Sequence, residues 1–278
     1  LTDDFDAHEV NSYSVLACDG IMTSCPISKI KYKEKNLDVS FYNHEGDESI
    51  FKNYNLKKDI DVFFYGVIKA DRKKYIEYLK SKNVKIKIIV PGKEYLPYDE
   101  IAKYISRSKV VLNFSKTGFK NKFYSHKTYA FNYSQFKGRI FVAGHCGTLC
   151  ISEYSPGQEV IFGNDIPTFK NEKEMFEILE EVLNDDVKLN YFTEKFVNKC
   201  NEYSNINHFP IVDKELSLSM NRKNVRKLPY WYLKIFIIKS IRLYAKNGNL
   251  LNLYKEYLEK ILSSYKFTGF TYPILILE

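Results

Sequence analysis

Two residues of opposite charge, Arg139 and Glu153, bracket the segment RIFVAGHCGTLCISE. Within it, residues 148–152 are apolar and β-branched, which is typical of a buried parallel strand. Glu153 would then stand just past the carboxyl end of that strand, where open α/β sheets bind their ligands. A carboxylate there could accept hydrogen bonds from sugar hydroxyls, and the guanidinium could bind phosphate. The alternative is a salt bridge that joins a helix to a loop.

A second group of candidate residues follows an apolar segment at residues 60–66. Gly66 would let the backbone approach a phosphate closely, and Lys69 and Arg72 could neutralise its charge beside a helix N-terminus. The alternative is a solvated basic turn. Since the chain lacks G-x-G-x-x-G and Walker sequences, a standard dinucleotide or P-loop site is not expected.

Three further residues near Glu153 have open roles. His145 could face a phosphate or pack in the core. Gly147 suits the residue that follows a helix C-terminus. Glu159 could face a ligand, or be a solvated acid that opens a short strand.

Hydrophobic periodicity predicts the elements that would position these residues. The predicted strands are 15–23, 36–42, 60–66, 84–90, 109–114 and 148–152. The predicted helices start at Pro26 and otherwise cover 71–79, 98–105, 139–145, 171–183, 192–203, 229–245 and 249–264. Strands that alternate with helices predict an α/β fold with a Rossmann-like, doubly wound parallel sheet. A long polar loop covers 115–136.

The segment that starts at Arg139 resembles the donor-binding segment of GT-B glycosyltransferases, whose pattern is R-x-F-E-x-x-A-x-G-x-x-x-x-x-E. Arg139, Phe141, Gly147 and Glu153 match this pattern, and Val142 stands where the family has its first Glu. The sequence YSPGQEVIF that follows resembles the family's next phrase, F-x-x-G-x-E-x-x-x-F. The spore-maturation-protein-like branch of group 1 glycosyltransferases is the most similar.

The resemblance implies a metal-independent transfer of a sugar from a nucleotide-diphosphate donor to a hydroxyl of a glycan, lipid or protein, without a cofactor. Residues 1–53 would be the remnant of an acceptor-side Rossmann domain with its linker, 54–190 the donor-binding domain, and 191–278 a C-terminal helical region. The donor-binding residues would be Gly66, Lys69, Arg72, Arg139, His145, Gly147, Glu153 and Glu159. The catalytic base is not identified.

The net charge of +8 comes from one part of the chain. Residues 221–267 contain eleven Lys or Arg and two Glu, a net charge of +9. With aromatic residues such as Trp231, this segment could bind an anionic membrane surface or pack across the domain. Nucleic-acid binding is not expected, because no reading element accompanies the basic residues.

The cysteine and histidine residues indicate neither disulfides nor a metal site. Five Cys at unrelated spacings are typical of free thiols in a reducing compartment, so a cytoplasmic or membrane-peripheral location is expected. The five His do not cluster. Two alternatives to an enzyme remain: a non-catalytic GT-B-like binding protein, and a basic membrane-peripheral scaffold.

Overall fold

The computed structural model describes residues 21–34, 36–42, 46–68, 71–91, 96–116 and 134–220 of the chain. The strands in these ranges are β1 (Met22–Thr23), β2 (Ser40–Phe41), β3 (Ile60–Tyr65), β4 (Ile86–Ile89), β5 (Ser108–Asn113), β6 (Leu149–Glu153) and β7 (Thr168–Phe169). The helices are α1 (Pro26–Glu34), α2 (Asp71–Ser81), α3 (Tyr98–Ser106), α4 (Arg139–His145), α5 (Pro156–Phe162), α6 (Glu172–Leu183), α7 (Asp186–Asn201) and α8 (Asn205–Met220).

Five strands form one parallel sheet in the order β4-β3-β5-β6-β7. Val62 of β3 is paired with Ile86 on one side and with Val110 on the other. The chain therefore leaves β3 toward one edge and, from β5 onward, moves toward the opposite edge. This reversal creates a crevice at the carboxyl ends of β3 and β5, where open α/β sheets bind their ligands. The predicted Rossmann-like α/β class is confirmed.

The central strands are buried because helices cover both faces of the sheet, as parallel sheets require. Val62, Phe63 and Phe64 are completely buried in β3, and so are Val110 to Leu112 in β5. This continuous burial explains why these strands are uninterrupted apolar runs in the sequence. The strands at 60–66, 84–90, 109–114 and 148–152 are confirmed with end positions shifted by one or two residues.

Side-chain caps determine where the helices after the sheet begin. Asn171 accepts hydrogen bonds from the N–H groups of Lys173 and Glu174, and so starts α6 as predicted. Asp185 caps α7 in the same way, so this helix starts at Asp186 rather than at residue 192. Helix α7 therefore crosses residue 190, where the predicted donor-binding domain ends. Its buried Phe196 packs on Phe162.

Two elements differ from the expectation for residues 153–170. Ser155 caps α5 and Pro156 occupies its first position, so Glu159 lies in a helix and not at the start of a strand. The strand of this region is instead β7, which pairs with β6. Helix α8 was not predicted; Pro210 lies inside it, although proline removes a helical hydrogen bond.

The residues before the sheet form a smaller unit that packs against it. Strands β1 and β2 pair in parallel, and α1 follows β1. The ring of Phe41 contacts the rings of Phe136 and Tyr203, and α1 packs against α5. Most of the predicted strand 15–23 and the predicted helices 229–245 and 249–264 lie outside the described residues.

Two observations concern the described residues as a whole. The described cysteines, Cys25, Cys146, Cys150 and Cys200, are buried free thiols, as predicted. None of the helices in the described ranges is long and apolar enough to cross a membrane.

Candidate active site

The carboxyl ends of β3, β5 and β6 bring five charged or special residues together at one edge of the sheet. Gly66 follows β3, Lys116 follows β5, and Glu153 ends β6. Arg72 lies in the first turn of α2 and Arg139 begins α4. We call this group, Gly66, Arg72, Lys116, Arg139 and Glu153, the carboxyl-edge cluster. It lies at the crevice between β3 and β5.

Gly66 makes room for the guanidinium of Arg139. It has a φ of +147°, a conformation that residues with a side chain rarely adopt. A Cβ at this position would lie 3.0 Å from Nη1 of Arg139 and 3.1 Å from Cζ of Phe64. Nη1 donates a hydrogen bond of 2.9 Å to the carbonyl of Tyr65, and the guanidinium lies 5.0 Å from the Tyr65 ring centroid. Arg139 therefore lies at the end of β3.

Arg72 connects the ends of β3 and β5. Its Nη1 donates to the carbonyl of Val67 at 2.9 Å, and its Nη2 donates to the carbonyl of Lys116 at 3.0 Å. Its buried Nε has no hydrogen-bond partner among the described residues. Burial and the charge of Arg139 lower the pKa of Arg72, and Glu153 acts in the opposite direction. The two arginines are thus close enough to repel each other.

Glu153 is a buried residue with several hydrogen-bond donors around it. Its side chain is only 3% exposed. Oε1 lies 3.1 Å from the Lys116 ammonium and 3.4 Å from the Tyr75 hydroxyl. Oε2 accepts from the Lys116 N–H at 3.0 Å and from the Ser115 hydroxyl at 3.4 Å. The ion pair of Glu153 is therefore with Lys116, and the alternative of a salt bridge to Arg139 is wrong.

The cluster carries an excess of positive charge. Arg72, Arg139 and Lys116 supply three cations around the carboxylate of Glu153, which leaves a net charge of about +2 at neutral pH. Like charges held together in a partly buried crevice are unfavourable unless an anion joins them. This arrangement is suited to a ligand with two negative charges.

His145 and Gly147, two of the predicted donor-binding residues, do not join the cluster. Both precede β6, whereas Glu153 ends it, and the five residues of that strand span about 16 Å. Nε2 of His145 lies 3.6 Å from Oε1 of Glu48, and burial lowers the pKa of His145. The carbonyl of Gly147 accepts a 3.0 Å hydrogen bond from Lys58. Both residues therefore lie at the amino edge of the sheet, opposite the carboxyl-edge cluster.

Three further positions of the predicted site and of the family pattern are Glu159, Lys69 and Val142. Glu159 is exposed on α5 and accepts a 2.6 Å hydrogen bond from the hydroxyl of Tyr154, which raises the pKa of that tyrosine. Lys69 is outside the described residues. Val142, at the position of the family's first Glu, is buried and faces Gly46 of the preceding linker.

Sequence reasoning missed three residues around Glu153, namely Tyr75, Ser115 and Lys116. Ser115 and Lys116 come directly after Asn113 and Phe114, at the end of a strand that was predicted correctly. The rule that ligands bind at carboxyl edges would have selected them. Among the described residues, no three His, Cys, Asp or Glu side chains are arranged to hold a metal ion.

Comparison with known proteins supports the same fold. Three solved structures superpose on 78% of the chain: sucrose-phosphate synthase from Thermosynechococcus elongatus (TM-score 0.54, 11% identity), TarM (TM-score 0.51, 13% identity), and an S. aureus TarM mutant with fondaparinux, alpha-GlcNAc-glycerol and UDP (TM-score 0.54, 13% identity). The chain spans 62%, 46% and 47% of their respective lengths. At these identities the similarity shows the fold alone.

The sequence comparison extends further than the fold. No curated protein sequence matches the chain. A protein family described as glycosyl transferase-like matches residues 58–208, which is more than half of the chain and contains the whole carboxyl-edge cluster. The spore-maturation branch stays a prediction. By this match the chain belongs to the glycosyl transferase-like family.

Proposed function

We propose that the carboxyl-edge cluster binds the diphosphate of a nucleotide-sugar donor, and that the protein transfers the sugar to a hydroxyl acceptor. One observation carries this proposal: two arginines from different helices, Arg139 and Arg72, bind backbone carbonyls at and just past the end of β3, beside the crevice between β3 and β5. A diphosphate provides the negative charge that relieves their repulsion. Family membership supports the same chemistry.

The physical demand of this reaction is to stabilise the departing diphosphate. The bond between the anomeric carbon and the diphosphate oxygen breaks, and a bond to the acceptor oxygen forms as the acceptor hydroxyl loses its proton. Negative charge then grows on the diphosphate, and guanidinium groups fixed in advance can stabilise it. Arg139 is fixed by the Tyr65 carbonyl, and Arg72 by the carbonyls of Val67 and Lys116.

The donor and acceptor classes also belong to this proposal. The TarM mutant structure contains UDP and alpha-GlcNAc-glycerol, which supports a nucleotide-sugar donor and a glycan acceptor for this chain as well. A lipid or protein acceptor is compatible with the same donor site. The resemblance implies that Glu153 contacts sugar or ribose hydroxyls, and this stays a prediction. Protein groups already donate hydrogen bonds to its carboxylate, so a ligand hydroxyl would have to share these oxygens.

A panel of nucleoside diphosphates tests the donor site. A ligand that binds only the native state raises the unfolding free energy by RT ln(1 + [L]/Kd), about 2.7 kcal/mol at one hundred times Kd. We expect UDP, GDP, ADP or CDP at millimolar concentration to raise the melting temperature, and free uridine to do so less. If none of the four raises it, the proposed donor site is wrong.

Turnover distinguishes an enzyme from a binding protein. A transferase should release the nucleoside diphosphate from the matching sugar donor when an acceptor is supplied, and the Arg139→Ala variant should release it more slowly. Arg107→Ala is the matched control, because Arg107 pairs with Asp59 at the amino edge of the sheet. Binding without release, under all acceptors tested, would favour the non-catalytic alternative.

A further inference from the structure

Resting on the proposed donor site, we propose that Lys116 is a further phosphate ligand. Glu153 holds its ammonium in place, and Tyr75 is the positioning residue that orients Glu153. Neither Lys116 nor Tyr75 belongs to the residues that the sequence resemblance implies. The three side chains come from the end of β5, α2 and β6, and Glu153 contacts the other two.

Lys116 is fixed at three of its atoms. Its N–H and its ammonium each contact one oxygen of Glu153, at 3.0 Å and 3.1 Å, and its carbonyl accepts from Arg72 at 3.0 Å. The residue therefore joins the buried acid to one of the two arginines of the site. The backbone of Lys116 thus helps to position the guanidinium of Arg72, while its ammonium is held by Glu153.

The two members of the ion pair differ in exposure. The side chain of Glu153 is 3% exposed, whereas that of Lys116 is 33% exposed. The carboxylate oxygens also contact the hydroxyls of Tyr75 and Ser115. A phosphate that enters the crevice would thus meet the ammonium before the carboxylate. In this arrangement Glu153 acts on the ligand through Lys116.

Tyr75 is held rigidly beneath this pair. Its ring centroid lies 5.3 Å from that of Phe114 and 5.4 Å from that of Phe169. Its hydroxyl lies 3.4 Å from Oε1 of Glu153 and 3.1 Å from the carbonyl of Lys170. The hydroxyl therefore links α2 and the end of β7 to the acid. A phenylalanine would keep the ring packing and remove the hydroxyl that makes this link.

A purely structural ion pair is the competing explanation, because a buried carboxylate left alone would be costly. The two explanations differ in what they predict for ligand affinity. A structural pair stabilises the fold and leaves phosphate binding unchanged. A positioned phosphate ligand makes affinity depend on Lys116, and makes the effect of Tyr75 depend on Lys116 as well.

Calorimetric titration with UDP, and with inorganic pyrophosphate as a base-independent probe, tests the proposal. We expect Lys116→Met to weaken UDP binding about tenfold or more, which is the scale of a hydrogen bond to a charged group. Tyr75→Phe should weaken it by about two- to fivefold, a smaller effect because the residue acts indirectly. The double variant should bind like Lys116→Met, since coupled residues are not additive.

Two control variants match these changes elsewhere in the chain. Lys109→Met removes another partly buried lysine, 28% exposed and 3.1 Å from Asp61, at the amino end of β5. Tyr54→Phe removes a hydroxyl that donates to the carbonyl of Ile50. Both controls should keep the affinity of wild type. If Lys116→Met fails to fold, the same titration is made with Glu153→Gln added, which removes the buried charge.

The outcomes separate this proposal from the donor site itself. If wild type binds none of the four nucleoside diphosphates and no pyrophosphate, the donor site is wrong and this proposal falls with it. If wild type binds while a folded Lys116→Met variant binds equally well, only the role of Lys116 is wrong. Independent, additive effects of Lys116→Met and Tyr75→Phe would overturn the positioning role of Tyr75.

Discussion

Glu153 binds Lys116 through two different atoms of that residue, the ammonium at 3.1 Å and the backbone N–H at 3.0 Å. Lys116 follows the end of β5, and Glu153 is the last residue of β6. The two neighbouring strands are therefore joined at their carboxyl ends by charge as well as by the sheet ladder. This link places the buried acid beneath the crevice that the two arginines line.

The burial of Glu153 changes what its substitution should do. An exposed acid after the strand could be replaced at little cost, but this side chain accepts from donors that a glutamine could satisfy only in part. We expect Glu153→Gln to lower the unfolding free energy by about 1–3 kcal/mol. Chemical denaturation measures this. Glu159→Gln, on the exposed face of α5, should stay within about 0.5 kcal/mol, and equal effects would contradict the burial argument.

A side chain at Gly66 should disturb both stability and the site. Gly66→Ala forces an unfavourable φ and brings a methyl group against the Arg139 guanidinium, so we expect a loss of about 1–3 kcal/mol and weaker UDP binding. Gly163→Ala is the control: its φ is +54°, but nothing lies within 4 Å of its Cβ. It should lose stability and keep UDP affinity. Unchanged affinity in Gly66→Ala would argue against the placement of Arg139.

The burial of Lys58 should make the stability of the fold depend on pH. It donates to Gly147 and Thr148, and burial lowers its pKa to about 8. In the unfolded chain Lys58 stays protonated to about pH 10.4. Between these pH values the unfolded state binds more protons, so this group makes the folded state more stable as pH rises. Below about pH 8 Lys58 is charged in the folded state too, and its buried charge then destabilises the fold by the full amount.

Lys58→Met isolates this effect, because the buried thiols are the same in both proteins. Between pH 7.5 and 9, the unfolding free energy of wild type should rise by about 1 kcal/mol relative to that of the variant. Denaturation at a series of pH values measures the difference. Two parallel pH profiles would show that burial does not perturb Lys58.

The basic segment 221–267 lies outside the described residues, and its lipid contact stays a prediction. If this segment binds anionic membranes, more protein should sediment with phosphatidylglycerol vesicles than with phosphatidylcholine vesicles. The excess should fall as salt rises, since exposed charges are screened within about 10 Å at 0.1 M. Equal recovery with both vesicles would remove the membrane interpretation.

The sheet could be predicted from sequence because its central strands are buried on both faces. Residues 60–66 and 109–114 are apolar runs with sharp ends, and such runs in alternation with helices indicate a parallel sheet. Gly66, Arg72 and Arg139 could be included in the predicted site because they lie just after a strand or in the first turn of a helix. The family pattern at Arg139 and Glu153 added the chemistry.

The rest depended on contacts between residues far apart in the chain. Nothing local to Lys116 shows that residue 153 will pair with it, and Tyr75 has the helical spacing of an ordinary core residue. His145 and Gly147 were included because a sequence pattern does not show that the ends of β6 face opposite edges. Helix α5 was missed although Ser155-Pro156 is a helix start signal.

The most direct measurement compares the affinity of UDP and of uridine for wild type, Arg72→Ala and Arg139→Ala, with Arg107→Ala as the control. Two arginines that meet the diphosphate should each contribute about 1.5–3 kcal/mol to UDP binding and almost nothing to uridine binding. The predicted result is therefore a loss of about tenfold or more for UDP alone, in both cluster variants and not in the control. Folded variants that bind UDP as tightly as wild type would contradict the assignment of the carboxyl-edge cluster as the donor diphosphate site.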